Sequence, residues 1–200
     1  QTTGTAPGLR SWQLFAICVV VWGTSWHVIT WQLPSGPPEL GVAMRFGLAG
    51  LLVLAWCAWR GQAFGFNVRE HGLFALQGVF MYSLSYLCVY HAETHVPSGL
   101  VAVGYSASPL INGLAAHALW GVPVTRRFLI GGVLGIAGVA LIFAPEFGRA
   151  DLGGAVVLGT LFTVASVLLS SVGSLTASRN RSRGLPMWPA LGWGMFYSAL

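Results

Sequence analysis

The chain has 200 residues, of which 55% are apolar and 8% are charged, and its formal net charge is +5. Soluble domains carry about 25% charged residues, so this composition excludes an ordinary soluble domain and favours a membrane protein. The ten arginines punctuate apolar runs instead of clustering on one face, which argues against a nucleic-acid partner. Cys18, Cys57 and Cys88 lie inside these runs, and we interpret them as packing residues.

Seven apolar segments have the length of helices, and short loops separate them. We therefore predict an all-α polytopic membrane protein whose successive helices form an antiparallel bundle. The last segment is shorter than a span, and we expect it to be incomplete. The predicted helices cover residues 11–32, 38–59, 69–92, 97–120, 124–144, 152–177 and 187 onward.

Several helix starts carry local signals that agree with these boundaries. Pro38 lies in a first turn, with Glu39 beside the positive helix end. Asn67, followed three residues later by Glu70, predicts a capping box. Two further residues are expected to cap the fifth and sixth helices, namely Thr125 and Asp151.

The arginines of the loops predict the orientation. If the N-terminus is cytoplasmic, only Arg149 faces outward. Cytoplasmic loops carry an excess of arginine and lysine, so we expect a cytoplasmic N-terminus. The arginines that then face the cytoplasm are Arg10, Arg60, Arg69, Arg126, Arg127, Arg179, Arg181 and Arg183. We read the run 178–183 first as a loop that anchors this orientation, with binding of lipid headgroups as the secondary alternative.

The fourth predicted helix contains a proline, Pro109, deep inside its apolar run. A mid-helix proline frees a backbone carbonyl and bends the helix. Freed backbone is tolerated in lipid only where protein or a water-filled cavity covers it, so this helix should not simply face lipid. Small residues in three helices predict close helix packing. They are Gly99, Gly104, Ser106, Ser108 and Gly113; Gly131, Gly132, Gly135 and Gly138; and Gly154, Gly159, Ser166, Ser170 and Ser174.

Five motifs carry a resemblance to a known family. In chain order they are Trp22-Gly23-Thr24-Ser25, Ala43-Met44-Arg45-Phe46, the segment 90–100, Ser108-Pro109-Leu110 and the segment 131–139. By these motifs the chain resembles the drug/metabolite transporter superfamily in its EamA family. The resemblance implies ten helices in two inverted five-helix repeats, with residues 1–148 as the first repeat and 149–200 as the start of the second. The segment 121–127 lacks the Glu-Arg pair that usually follows the fourth helix.

The resemblance also implies a function. Members of this family are secondary transporters, often exporters of amino acids or related metabolites across the bacterial cytoplasmic membrane, and they work by alternating access without a cofactor. Two other functions remain open. A membrane-embedded enzyme would need a nucleophile beside a base, or several metal ligands, and no such spacing occurs in the sequence. A non-transporting membrane scaffold is the third hypothesis.

Arg45 and two tyrosines are the first candidates for a substrate cavity. Arg45 is charged and lies well inside a predicted span, where it either faces substrate or snorkels and ties down a helix end. Tyr82 and Tyr86 share a helix face with Tyr90 and need partners for their hydroxyls, so they line a cavity or pack. For Tyr90, near the outer end, an interfacial aromatic belt fits best.

The remaining candidates lie on the first and fourth helices. Trp22 and Trp26 share a face, and His27 either binds substrate or is a hydrogen-bonded packing residue. Asn112, one turn after Pro109, either satisfies freed backbone or lines the cavity. We expect no metal site, because the group His91, Glu93 and His95 lacks a complete ligand set and suits a solvated outer loop.

Overall fold

The computed structural model describes residues 10–32, 36–142, 144 and 153–200. The chain divides into two compact units, residues 1–36 and 37–200. The first unit contains the helix α1 (Ser11–Gln32), whose bounds match the prediction. Asp151, predicted to cap the sixth helix, lies outside the described residues.

The secondary structure of the second unit is helical, with short loops between the helices, and no strand occurs among its described residues. Two of its rods are composite. The first consists of α3, a π-helical segment and α4, which follow one another without a break, and the second consists of α5 and α6, interrupted at Ala107. The elements are α2 (Pro38–Trp59), α3 (Val68–Gly78), the π-helical segment (Val79–Leu84), α4 (Ser85–Glu93), α5 (Ser98–Ser106), α6 (Ser108–Trp120), α7 (Arg126–Ile142), α8 (Gly154–Ser182) and α9 (Met187–Ser198).

Four helical stretches among the described residues are long and apolar enough to cross a bilayer. They correspond to the second, third, fourth and sixth predicted helices, and the bounds of the first three of these agree within one residue. The prediction of an all-α polytopic membrane protein is therefore confirmed. The four stretches are Pro38–Trp59, Val68–Glu93, Ser98–Trp120 and Gly154–Ser182.

The composite rod α3–α4 holds the second unit together. It contacts α2 and α8, while α9 packs against α2 and α3. The backbones of α3 and α9 meet at Gly78 and Gly194, because a Cβ atom added to Gly78 would overlap the Gly194 carbonyl group. A 2.8 Å hydrogen bond between Tyr197 and His71 joins the same two helices. The composite rod α3–α4 is thus bound directly to α9.

The predicted small-residue faces have different outcomes. On α5, Gly104 lies against Thr163 of α8, and on α8 Gly159 lies against Val96, so close packing is confirmed at both sites. On α7, nothing described lies within 4 Å of a Cβ at Gly131, Gly135 or Gly138, so close packing of these three glycines stays a prediction. Gly132 is the exception, with Leu110 of α6 at 3.1 Å from its added Cβ.

The sixth predicted helix is longer than the sequence indicated. We predicted its end at residue 177 and a loop at 178–183, but α8 continues to Ser182. Asn180 explains the extension, because it is buried and its Nδ2 donates a 3.2 Å hydrogen bond to Gln77 Oε1 of α3. Gly184, with φ of +82°, then ends the helix, and Leu185 N–H donates to the Asn180 carbonyl in a Schellman motif.

The capping box predicted at the start of α3 is present. Glu70 N–H donates to Asn67 Oδ1 at 2.9 Å, and Asn67 N–H donates to Glu70 Oε2 at 2.8 Å. Thr125 Oγ1 likewise accepts from Phe128 N–H at the start of α7, as predicted.

We expect Asn67→Ala to lower the free energy of unfolding by about 1 kcal/mol, because the backbone N–H of Glu70 loses its acceptor, Asn67 Oδ1. Thermal melting of the purified protein in detergent measures this effect. Asn67→Ser, which retains a capping oxygen, is the matched control and should melt close to the wild type. Equal melting of the alanine variant and the wild type would contradict the expectation.

Candidate functional site

The most conspicuous polar feature inside the second unit is a cluster around Arg45. Its guanidinium group lies 5.3 Å from the ring centroid of Tyr86, which is within the range of a cation–π contact. The same group hydrogen-bonds with the hydroxyl of Tyr90. Arg45 therefore turns from α2 toward α4 instead of extending along its own helix. We define the Arg45 cluster as Arg45, Phe46, Tyr82, Tyr86 and Tyr90.

Phe46 connects the cluster to the π-helical segment. Its ring centroid lies 5.1 Å from that of Tyr82 and 4.7 Å from that of Tyr86, the latter with an edge-to-face geometry. Such aromatic pairs stabilise a helix contact beyond the area that they bury. Tyr82 and Tyr86 thus share a face, and that face is directed at α2. This placement is consistent with both alternatives from the sequence, cavity lining and packing.

Tyr90 is not an interfacial belt residue. Only 1% of its surface is exposed, and its ring lies against Gly41 of α2, 3.5 Å from where a Cβ atom would be. The prediction of an aromatic belt is wrong at this position because α2 offers a glycine where a side chain would otherwise occupy the space. The buried hydroxyl is satisfied by Arg45, as a buried tyrosine requires.

The outer end of α4 also differs from the prediction. His91, Glu93 and His95 were expected in a solvated loop, but His91 and Glu93 belong to α4 and all three side chains are half-buried. The imidazole of His91 stacks on Phe162 of α8 at 5.4 Å, and that of His95 lies 6.1 Å from the same ring. Packing against α8 therefore partly shields the two imidazole groups from solvent.

A second polar site lies between α3, the end of α8 and the start of α9. It is a cavity of about 310 Å³, which we call the Asn180 cavity. Gln77 and Asn180, which are 4% and 1% exposed, form its polar wall through their mutual hydrogen bond. The other lining residues are Met81, Tyr82, Ala177, Ser178, Arg181, Leu185, Met187, Ala190 and Leu191. Sequence analysis missed this site, because 103 positions separate the two amides.

The other predicted residues lie apart from the Arg45 cluster. Asn112 is half-buried on α6, which packs against α5, α7 and α8, and its Oδ1 is enclosed without a partner among the described residues. Pro109 is the second residue of α6, two positions after the turn at Ala107, and its side chain is exposed. Trp22 of α1 is exposed, and Trp26 and His27 lie outside the described side chains.

Comparison with known proteins identifies the family. The sequence pattern of the EamA-like transporter family matches residues 10–144, which is more than half of the chain. This chain belongs to the EamA-like transporter family. The match includes α2 to α7 and therefore the whole Arg45 cluster, so the resemblance drawn from the sequence motifs is confirmed.

Curated relatives of this EamA chain extend the similarity toward its C-terminal end. It is 28% identical to Protein PecM of Dickeya dadantii over 196 residues, which cover 96% of this chain and 61% of PecM. It is 25% identical over 182 residues to YvbV of Bacillus subtilis, named as an uncharacterized transporter, covering 91% of this chain and 58% of YvbV. It is 32% identical over 130 residues to YedA of Escherichia coli, named as an uncharacterized inner membrane transporter, covering 64% and 42%.

The lengths of these alignments matter for function. The EamA chain spans about three fifths of the length of the first two relatives. No solved structure matches it. The family match and the four candidate spans together establish a multi-pass membrane protein of a transporter family.

Proposed function

We propose that the full-length protein is a secondary transporter that moves a small metabolite across the cytoplasmic membrane by alternating access. Residues 1–148 form its first five-helix repeat, residues 149–200 begin the second, and the N-terminus is cytoplasmic. The observation that carries this proposal is the Arg45 cluster, a cation and three tyrosines held between α2 and α4. Charged groups inside membrane spans mark substrate and ion pathways.

The chemistry of the Arg45 cluster favours one substrate class. A guanidinium group binds a carboxylate through charge-assisted hydrogen bonds. The rings of Tyr82, Tyr86 and Phe46 provide an apolar surface beside it. Amino acids and related metabolites combine a carboxylate with a partly apolar body, and export of such compounds fits this surface. Trp22, Trp26, His27 and Asn112 are the further cavity residues that we propose from the sequence.

The close contact between α3 and α9 supports the mechanism. Alternating access moves one repeat against the other around a central site. Gly78 and Gly194 give that movement a surface where two backbones meet without intervening side chains. An enzyme has less support, because the relatives named for a function are named transporters.

Flux measurements on the full-length protein test the proposed function. We expect proteoliposomes to show saturable uptake or counterflow of radiolabelled amino acids, above that of empty liposomes. Saturation should occur because each transport cycle requires occupancy of a finite number of sites. Absence of saturable flux for a broad metabolite panel, with a monodisperse and cooperatively melting protein, would favour the scaffold hypothesis instead.

A further inference from the structure

The Asn180 cavity is polar at one end and apolar along the rest of its length. At the polar end, Arg181 Nη1 lies 3.7 Å from Met187 Sδ, so the guanidinium group reaches across from α8 to the start of α9. Deeper in the cavity, the wall consists of apolar side chains such as Met81 and Leu191. A ligand that fits both parts must be amphipathic, with an anionic end.

Asn180 provides a second, independent observation. Its side chain is 1% exposed, and its Nδ2 is used by Gln77. Its Oδ1 is enclosed and has no hydrogen-bond partner among the described residues. A buried amide oxygen without a donor is unfavourable, and a ligand that donates a hydrogen bond there would remove that cost. The cavity therefore selects for a hydroxyl or another donor near the anionic group.

The length of α8 places the cavity at a membrane surface. A helix of 29 residues is about 44 Å long at 1.5 Å per residue, whereas the hydrocarbon core is about 30 Å thick. At least one end of α8 therefore extends beyond the hydrocarbon core, and the arginines of its last turns favour the C-terminal end. Three arginines lie there, Arg179, Arg181 and Arg183, and Arg69 of α3 lines a neighbouring groove together with Arg183. Basic pockets between helices at this depth bind anionic headgroups.

We propose that the Asn180 cavity binds an anionic phospholipid whose headgroup carries a free hydroxyl, as phosphatidylglycerol does. The phosphate pairs with Arg181 at the rim, and the hydroxyl donates to Asn180 Oδ1. The adjoining apolar part of the lipid lies along Met81 and Leu191. A soluble phosphate monoester offers the same anionic and hydroxyl groups without the apolar part, so the experiment must separate these two sources.

Lipid titration of the full-length protein in detergent tests this site. The melting temperature is followed while phosphatidylglycerol, phosphatidylcholine or glycerol 3-phosphate is added to the wild type, Asn180→Ala and Arg181→Gln. Arg60→Gln is the matched control, because Arg60 is an exposed arginine at the end of α2 and lies outside the cavity. Each variant is compared with its own lipid-free sample, so differences in basal stability cancel.

We expect phosphatidylglycerol to raise the melting temperature of the wild type more than phosphatidylcholine does. Its apparent affinity should fall about tenfold in Asn180→Ala and in Arg181→Gln, the effect of losing one hydrogen bond to a charged or enclosed group, and should not change in Arg60→Gln. Equal stabilisation by the two lipids, or unchanged selectivity in both cavity variants, overturns the assignment. Equal stabilisation by glycerol 3-phosphate overturns the lipid as the source.

The two variants keep the result decisive. If Asn180→Ala does not fold, Arg181→Gln still decides, because Arg181 is exposed and its substitution leaves no buried group unpaired. Binding is read without transport, so a protein that moves no metabolite can still bind the lipid. Conversely, a wild-type protein without lipid selectivity would overturn the lipid site but would not contradict the proposed transport.

Discussion

We expect Gly78→Ala to lower the melting temperature of the protein by about 5 °C. A methyl group at this position has no space, because the Gly194 carbonyl group of α9 occupies it. The obstacle is backbone, which cannot rotate away as a side chain does, so α3 and α9 must separate. Overpacking of this kind costs about 1–3 kcal/mol, which corresponds to several degrees in a chain of this size.

Gly131→Ala is the matched control for Gly78→Ala. Both glycines lie inside helices, but nothing described lies within 4 Å of a Cβ atom at Gly131. Alanine is the better helix former, so this variant should melt at or above the wild-type temperature. Thermal melting in detergent with a tryptophan fluorescence readout compares the two. Equal melting of Gly78→Ala and Gly131→Ala would show that α3 and α9 do not cross at Gly78.

The second large effect is expected for Arg45→Gln. If the guanidinium group binds the carboxylate of the substrate, its loss should lower the transport rate at low substrate concentration by roughly 10- to 100-fold, equivalent to one charge-assisted hydrogen bond. The loss should appear mainly in the apparent KM, because the lost hydrogen bonds are ones that bind the substrate. Initial rates of proteoliposome uptake, measured over a range of substrate concentrations, give the apparent KM and the maximal rate.

Arg60→Gln is again the appropriate comparison. Arg60 also lies over an aromatic ring, that of Trp56 at 5.6 Å, but it is exposed at the end of α2. It should leave flux within about twofold of the wild type, as for most exposed substitutions. Arg45→Lys keeps the charge but loses the planar donor pair, so an intermediate rate is expected. Unchanged flux in Arg45→Gln would remove Arg45 from the proposed substrate site.

Local patterns predicted the helices and their starts well. The apolar runs gave the bounds of α1 and α2, and Asn67 with Glu70 gave the capping box of α3. These features depend on residues within a few positions of one another, so the sequence contains the whole signal. The shared face of Tyr82 and Tyr86 is of the same kind, since it follows from helical spacing.

The errors arise where a distant partner decides the outcome. The sequence of the run 178–183 indicates a polar loop, but Asn180 is buried and hydrogen-bonded to Gln77 in another helix, and α8 extends to Ser182. The position of Tyr90 near a helix end indicates an interface residue, but its ring is buried because Gly41 of α2 leaves space for it. No local pattern reports either partner. For the same reason, no local pattern indicates the Asn180 cavity, whose two amides are 103 positions apart.

The π-helical segment Val79–Leu84 has a consequence for how the third rod is used. A π turn accommodates one residue more than an α turn, which corresponds to a rotation of about 100° between the helix before it and the helix after it. Gln77 and Gly78, before the segment, meet α8 and α9, whereas Tyr86 and Tyr90, after it, meet α2. The wide turn thus sets the angle around the rod axis between the face of α3 that contacts α8 and α9 and the face of α4 that contacts α2.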